Sequence, residues 1–111
     1  MSDDSTQDRL DAAMSREPDR LFAVADTPAG ILIVGNPSQA NYQLYRGMLM
    51  SDDMAQKAQA PDSLLKACAV DPDPAGMTAT LKKYPGLAGN PQMAAAISQV
   101  VGITKGAISK K

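Results

Sequence analysis

The sequence predicts an α+β fold that is mainly helical, with a small N-terminal β-hairpin and about four short amphipathic helices. Two β-type apolar runs enclose a turn containing Pro and Gly between residues 21 and 34, which is the pattern of a hairpin. Downstream, Asn-Pro and Asp-Pro pairs recur, each followed by apolar residues at helical spacing. With 111 residues, 44% of them apolar, the chain has room for one small domain and a modest core.

Residues 1–20 are polar and acidic, and they predict a flexible leader or a short helix. Residues 1–26 carry seven acidic and three basic side chains, a net charge of −4. Leu10, Ala13 and Met14 make only a thin apolar stripe, so a helix here needs a partner to be stable. The segment has the features of neither a secretory signal nor a transit peptide, and we expect a soluble, intracellular protein.

The predicted domain spans residues 21–102 and begins with the hairpin at 21–34. Pro28 suits the second position of its turn, and Gly30 can adopt a positive φ. A lone two-stranded hairpin is marginal in water, so its apolar face must lie on helices or its edge must pair with another chain. The longest apolar run, residues 31–34, is far too short to cross a bilayer, and no membrane contact is expected.

Helices are predicted at about 37–50, 54–69, 74–84 and 91–101. Asn or Asp is a good N-cap, and Pro at the first helical position gives up no needed donor. The predicted starts are Asn36-Pro37, Pro61-Asp62, Asp73-Pro74 and Asn90-Pro91. The apolar stripes that follow are Tyr42, Tyr45 and Leu49, then Leu64, Leu65 and Cys68, then Met77, Leu81 and Tyr84, and finally Met93, Ile97, Val100 and Val101.

The stretch LKKYPGLAGNP, residues 81–91, predicts a corner between two helices. Lys82 and Lys83 suit a helix C-terminus, and Pro85 ends that helix. We expect Leu87 to fold back and cover the corner, and Gly102 to stop the last helix.

Residues 103–111 predict a mobile basic tail. Residues 74–111 contain no acidic side chain, and their five lysines are Lys82, Lys83, Lys105, Lys110 and Lys111. This dipolar distribution could bind an acidic surface or the chain's own acidic end. Because there is no arginine cluster and no interleaved aromatic pattern, nucleic-acid binding is not expected.

The residue types that carry common enzyme chemistry are missing, so we predict no enzymatic activity, no cofactor and no metal site. The chain has no histidine, which is the commonest general base and metal ligand. Its one cysteine, Cys68, lies on an apolar stripe and is predicted to be a buried structural thiol. Asp52 and Asp53 together supply too few oxygen ligands for a cation site. This pair therefore predicts a solvated loop or a helix cap.

Three stretches carry a resemblance to a known family: NPSQANYQLYRGML, APDSLLKACAVDPDPAGM and LKKYPGLAGNPQMAAAISQVVG. Residues 31–102 resemble the small tail assembly chaperones of long-tailed bacteriophages. The positions that match the family pattern are Leu64, Leu65, Val70, Pro72, Tyr84, Pro85, Gly86, Leu87 and Gly102. This is a pattern of packing and corners and not a catalytic signature.

The resemblance implies a non-enzymatic protein that binds the tape-measure protein or tail tube subunits in the cytoplasm of the infected host cell. We predict that such a helical partner binds the surface between residues 64 and 101. The candidate partner-binding residues are Leu64, Leu65, Met77, Leu81, Tyr84, Leu87, Met93 and Ile97. Self-association of the chain also stays open.

Two other roles stay open at this point. One is a structural component of the virion, such as a neck, tail or decoration subunit, whose hairpin extends a neighbouring sheet. The other is a small inhibitor of a host complex, in which the acidic leader mimics nucleic acid.

Overall fold

The computed structural model describes residues 3–108 of the chain. Its elements in chain order are α1 (Asp3–Arg16), β1 (Phe22–Thr27), β2 (Gly30–Gly35), α2 (Gln39–Leu49), α3 (Met54–Cys68), β3 (Ala69–Asp71), α4 (Pro74–Lys83), a 3₁₀ turn (Leu87–Gly89) and α5 (Pro91–Val100). The predicted α+β class is confirmed. Within residues 3–108 there are five α-helices where about four were predicted, and three strands where two were predicted.

The sheet is antiparallel and has the order β1-β2-β3. β1 and β2 pair from Phe22 opposite Gly35 to Thr27 opposite Gly30. Pro28 and Ala29 form the turn between them, and Gly30 has a φ of 104°. The hydroxyl of Thr27 accepts from the amide of Ala29 at 3.1 Å and donates to the carbonyl of Gly30 at 2.9 Å, which closes the turn. The predicted roles of Pro28 and Gly30 are confirmed.

The third strand was not predicted, and its first residue, Ala69, was predicted to be the end of a helix. α3 ends at Cys68, and residues 69–71 continue as β3 beside β2, with Ile33 opposite Asp71 and Val34 opposite Ala69. Three residues carry too little local signal for a strand, and the free edge of β2 supplies the missing hydrogen bonds.

Strand side chains alternate between two apolar clusters, one on each face of the sheet. The face that carries Ala23, Ala25, Leu32 and Val34 packs against α3, α4 and α5. The opposite face carries Phe22, Ile33 and Val70, which are buried together with Leu10 and Ala13 of α1. The predicted leader therefore contains a helix whose thin stripe is stable because the sheet covers it.

Arg20 ties three parts of the chain together next to the hairpin. Its Nε donates to the carbonyl of Asn36 at 2.9 Å, and its Nη2 donates to the carbonyl of Ala67 at 3.3 Å. Its Nη1 lies 3.2 Å from both carboxylate oxygens of Glu17. One guanidinium thus holds the end of α1, the end of β2 and the last turn of α3.

Two of the predicted helix starts are confirmed. Asp73 accepts from the amide of Gly76 at 2.8 Å and caps α4, and Asn90 accepts from the amides of Gln92 and Met93 and caps α5. Asp53, predicted as a loop or cap residue, accepts from Ala55 and caps α3.

The other two predicted starts are wrong. Ser38 caps α2. Asn36 does not cap it, because its side-chain oxygen accepts from the amide of Leu21 and extends the hairpin. Pro61 lies inside α3, which begins seven residues earlier, at Met54, where the predicted range 54–69 also begins. It lacks an amide hydrogen, and the helix continues through it because Ala60, Leu64 and Leu65 are buried.

The tail differs from the expected mobile segment. Ile108 forms a β-bridge with Phe22, in which each amide donates to the other residue's carbonyl at 2.7 Å. The tail therefore returns to the outer edge of β1. Lys110 and Lys111 lie outside the described residues.

Among the described helices, none combines the length and the apolar character that a membrane span requires.

Candidate functional site

The eight predicted partner-binding residues do not form one exposed surface. Six of them are buried in the core between the sheet and the helices, namely Leu64, Leu65, Met77, Leu81, Leu87 and Met93. Tyr84 and Ile97 are partly buried at its margin. The stripes face each other because apolar stripes of neighbouring helices are the surfaces that pack best. In this fold the six buried residues therefore form the core.

An apolar groove of about 190 Å³ opens between α2, α3 and α5. Its walls are Tyr42, Tyr45, Pro61, Leu64, Ala88, Ala94, Ile97, Ser98, Val101 and Ile103. Two of the eight predicted residues, Leu64 and Ile97, are part of it. Most of the lining is apolar, and the hydroxyl groups of Tyr42, Tyr45 and Ser98 are its side-chain hydrogen-bonding groups.

One wall of the groove is an aromatic pair on α2. The rings of Tyr42 and Tyr45 lie 5.7 Å apart between centroids, tilted by 40°. Both are partly buried and pack against the core, although α2 has no fully buried residue. Their spacing of three residues places them on one side of the helix. Tyrosine pairs of this kind offer a large apolar area together with a polar end.

The other wall depends on how α5 ends. Gly102 follows the helix with a φ of 89°, and its amide donates to the carbonyl of Gln99 at 3.3 Å. The amide of Ile103 donates to the carbonyl of Ser98 at 2.9 Å, which completes a Schellman motif. The predicted stop at Gly102 is confirmed. The motif turns the chain back and places the exposed side chain of Ile103 on the rim of the groove.

A second groove of about 370 Å³ lies at the predicted corner between α4 and α5. It is lined by Pro28, Lys83, Tyr84, Pro85, Gly86, Leu87 and Asn90. Lys83 Nζ lies 5.7 Å from the centroid of the Tyr84 ring. Leu87 is buried there, as predicted for a residue that covers the corner. Tyr84 and Leu87 therefore line a different groove from Leu64 and Ile97.

Among the residues that the structure describes, no Asp, Glu, His or Cys side chain lines either groove. Within residues 3–108, no group of three or more His, Cys, Asp or Glu side chains is placed to hold a metal ion. Cys68 is buried, as predicted. Burial raises the pKa of its thiol from 9.0 to about 12, and the positive charge of Arg20 opposes this shift only in part. The thiol is therefore protonated near neutral pH, and thiolate chemistry is suppressed.

Three exposed apolar residues at the turn between α2 and α3 were missed as candidates. They are Leu49, Met50 and Met54, here called the apolar tip. Leu49 was assigned to a core stripe because it follows Tyr42 and Tyr45 at helical spacing. The polar run Ser51-Asp52-Asp53 between two methionines was the available signal that this stripe leaves the core at a turn.

The groove between α2, α3 and α5 is small and mainly apolar. Its volume is below the roughly 300–1,000 Å³ of sites that hold drug-sized molecules. It can take an apolar side chain, and its hydroxyl groups can form hydrogen bonds with the backbone of a neighbouring segment.

The chain matches no protein-family model, no curated protein and no solved structure.

Proposed function

We propose that this chain is a non-enzymatic phage-type tail assembly protein, or chaperone. It binds a helical partner, such as a tape-measure protein or a tail tube subunit, in the groove between α2, α3 and α5. The observation that carries the proposal is the open apolar groove, with the Tyr42–Tyr45 pair on one wall and Ile97 on the other. The resemblance of residues 31–102 to tail assembly chaperones supplies the class of partner.

An amphipathic helix fits the geometry of the groove. Such a helix presents apolar side chains one turn apart, and a groove between packed helices takes them as anchors. Here Leu64 lies at the base, because it is buried, while Ile97, Val101 and Ile103 stand around the opening. A bound helix would cover the exposed side chain of Ile103.

Binding in this groove leaves the core closed. The six buried residues among the predicted contacts keep the sheet and helices together while the partner is bound and after it leaves. This suits a transient assembly factor, because release requires only that the partner helix withdraw. The proposed site of action is the cytoplasm of the infected host cell.

The test uses two neighbouring alanines on α5. Ala94 lines the groove and Ala95 does not, and both are exposed. Ala94→Glu should weaken binding to purified tape-measure protein at least about tenfold, since it places a charge in an apolar contact. Ala95→Glu should leave the dissociation constant within about threefold. Equal effects of the two changes, with both variants folded, would contradict binding in this groove.

A second experiment separates assembly factor from structural subunit. Mass spectrometry should find the chain in the lysate of infected cells and not in purified particles. Its presence in particles at a symmetric copy number would favour a virion component instead. The outer edge of β1 favours that second role: Ile108 bonds to Phe22, and the edge continues past Val24 and Asp26, where a neighbour's strand could add.

A further inference from the structure

The turn between α2 and α3 carries the apolar tip away from both core clusters. The exposed fraction of the side chain is 79% for Met50, 75% for Met54 and 43% for Leu49. α2 has no buried residue, and in α3 burial begins only at Ala60. The end of the α2–α3 hairpin therefore contributes little to the core, and its apolar residues are in contact with solvent.

Local hydrogen bonds hold this turn in one conformation. The amide of Met50 donates to the carbonyl of Arg46 at 3.1 Å, which ends α2. The amide of Asp53 donates to Ser51 Oγ at 3.0 Å, and Asp53 in turn caps α3 through the amide of Ala55. Three exposed apolar residues on one short, hydrogen-bonded turn are a candidate interaction surface.

Charges around the tip form a pattern that is complementary to itself. Asp52 and Asp53 lie at the turn, while Arg46 and Lys57 lie about one helical turn back along α2 and α3. All four are exposed. If two hairpins overlap in opposite directions, the acidic turn of each copy lies over the basic positions of the other. A two-fold axis requires this kind of self-complementarity.

We propose that the apolar tip is a self-association surface through which two copies of the chain pair about a two-fold axis. Leu49, Met50 and Met54 of each copy form the centre of the contact. Asp52 and Asp53 of one copy face Arg46 and Lys57 of the other. Three apolar residues per copy make a small interface, so the dimer forms and separates with concentration. This surface is distinct from the groove that binds the helical partner.

Analytical ultracentrifugation of the full chain tests the proposal between about 10 µM and about 1 mM, the range in which weak contacts form. The weight-average mass should rise from 11.6 kDa toward twice that value. Met54→Glu should raise the dimer midpoint, the concentration at which half of the chains are dimeric, at least about tenfold. Its fold is expected to persist, because an acidic residue in the first turn of α3 is favoured by the helix dipole. A wild-type mass that stays constant over the range would overturn the proposal.

Ile103→Glu is the control for an exposed apolar residue elsewhere, with 70% of its side chain exposed. It should leave the dimer midpoint unchanged and weaken binding of the helical partner. Met54→Glu should raise the dimer midpoint and leave binding of the helical partner unchanged. If Met54→Glu instead weakens partner binding while the wild-type chain is monomeric, the tip contacts the partner, and self-association is wrong.

Charge exchange tests the two-fold arrangement. Lys57→Glu and Asp52→Lys should each reduce dimerisation at low salt, because each brings like charges together across the axis. The double variant Lys57→Glu/Asp52→Lys should associate more strongly than either single change, since residues 52 and 57 again carry opposite charges, in exchanged positions, across the axis. A double variant as weak as the worse single change would overturn this arrangement.

Discussion

Arg9 Nε lies 2.7 Å from a carboxylate oxygen of Asp71, which joins α1 to the end of β3. Arg9 Nη2 also donates to the carbonyl of Asp71 at 3.2 Å. This pair fixes the position of α1 along the sheet, while Leu10 and Ala13 supply its buried contacts. Both charged side chains are about one-third exposed, at 32% and 39%, so solvent weakens their attraction.

The first prediction concerns this ion pair. A double-mutant cycle with Arg9→Ala and Asp71→Ala should give a coupling of about 0.2–1 kcal/mol in the free energy of unfolding, and the coupling should fall at high salt. Urea unfolding measures it. Arg16→Ala, an exposed change at the end of the same helix, should have a smaller effect. No measurable coupling at low salt would show that the two charged side chains do not stabilise the fold through their attraction.

The second prediction compares two leucines. Leu65 is fully buried and Leu44 is two-thirds exposed. Leu65→Ala should lower the free energy of unfolding by about 2–5 kcal/mol, because it leaves a cavity between α3 and the sheet. Leu44→Ala should change it by no more than about 0.5 kcal/mol. Thermal and urea unfolding are the measurements, and similar losses for both would contradict the described burial.

The third prediction rests on the close approach of Arg20 to Gly35. A Cβ at residue 35 would lie 2.5 Å from Arg20 Nε. Gly35→Ala should therefore displace the guanidinium from the carbonyls it binds and cost about 1–3 kcal/mol of stability. The cost should shrink in an Arg20→Ala background, where the obstacle is absent.

Gly47 is the matched control for that change. It lies in α2, where an added Cβ meets open space. Gly47→Ala should raise the free energy of unfolding by about 0.5–1 kcal/mol, since alanine restricts the unfolded helix segment more than glycine does. If Gly35→Ala were equally stabilising, the packing of Arg20 against β2 would be wrong.

The fourth prediction concerns pH. Burial raises the pKa of the Cys68 thiol from 9.0 in an exposed chain to about 12 in the fold. The folded chain thus holds this proton more tightly than the unfolded chain. Its contribution to stability is complete below pH 9 and is lost as pH rises from 9 toward 12.

Comparison with Cys68→Ala isolates that effect from the titration of lysines and tyrosines. Between pH 9 and pH 10 the wild-type free energy of unfolding should fall by about 1 kcal/mol more than that of the variant. The native thiol should also react slowly with a thiol reagent at pH 8 and rapidly once urea unfolds the chain. Parallel pH profiles for the two proteins would show that Cys68 is accessible to water in the native state.

Elements with strong local signals could be predicted from the sequence. The turn at Pro28 and Gly30 and the caps Asp73 and Asn90 each need only a few neighbouring residues to form. Elements that depend on residues distant in the sequence could not be predicted. β3 exists because β2 has a free edge, and the bridge of Ile108 exists because β1 has one.

The candidate site likewise contains residues that could be predicted from the sequence and residues that could not. Helical spacing identified the stripes to which Leu64 and Ile97 belong, and both residues line the groove. Spacing alone does not tell which side of a stripe faces the core and which faces an opening, so Met77 and Met93 were assigned to a binding surface although they are buried. It also gave no reason to separate Leu49 from the core.

Pro61 divides α3 into two regions that should differ in how often they open. Because proline has no amide hydrogen, the carbonyl of Lys57 receives no helical bond from that position, and only Ala60 is buried in the outer half of the helix. The amides of residues 55–60 should therefore exchange with deuterium by local fluctuation, while those around Leu65 should exchange only when the whole domain unfolds. A proline that leaves the helix intact would thus set the boundary between a stable body and a separately opening arm.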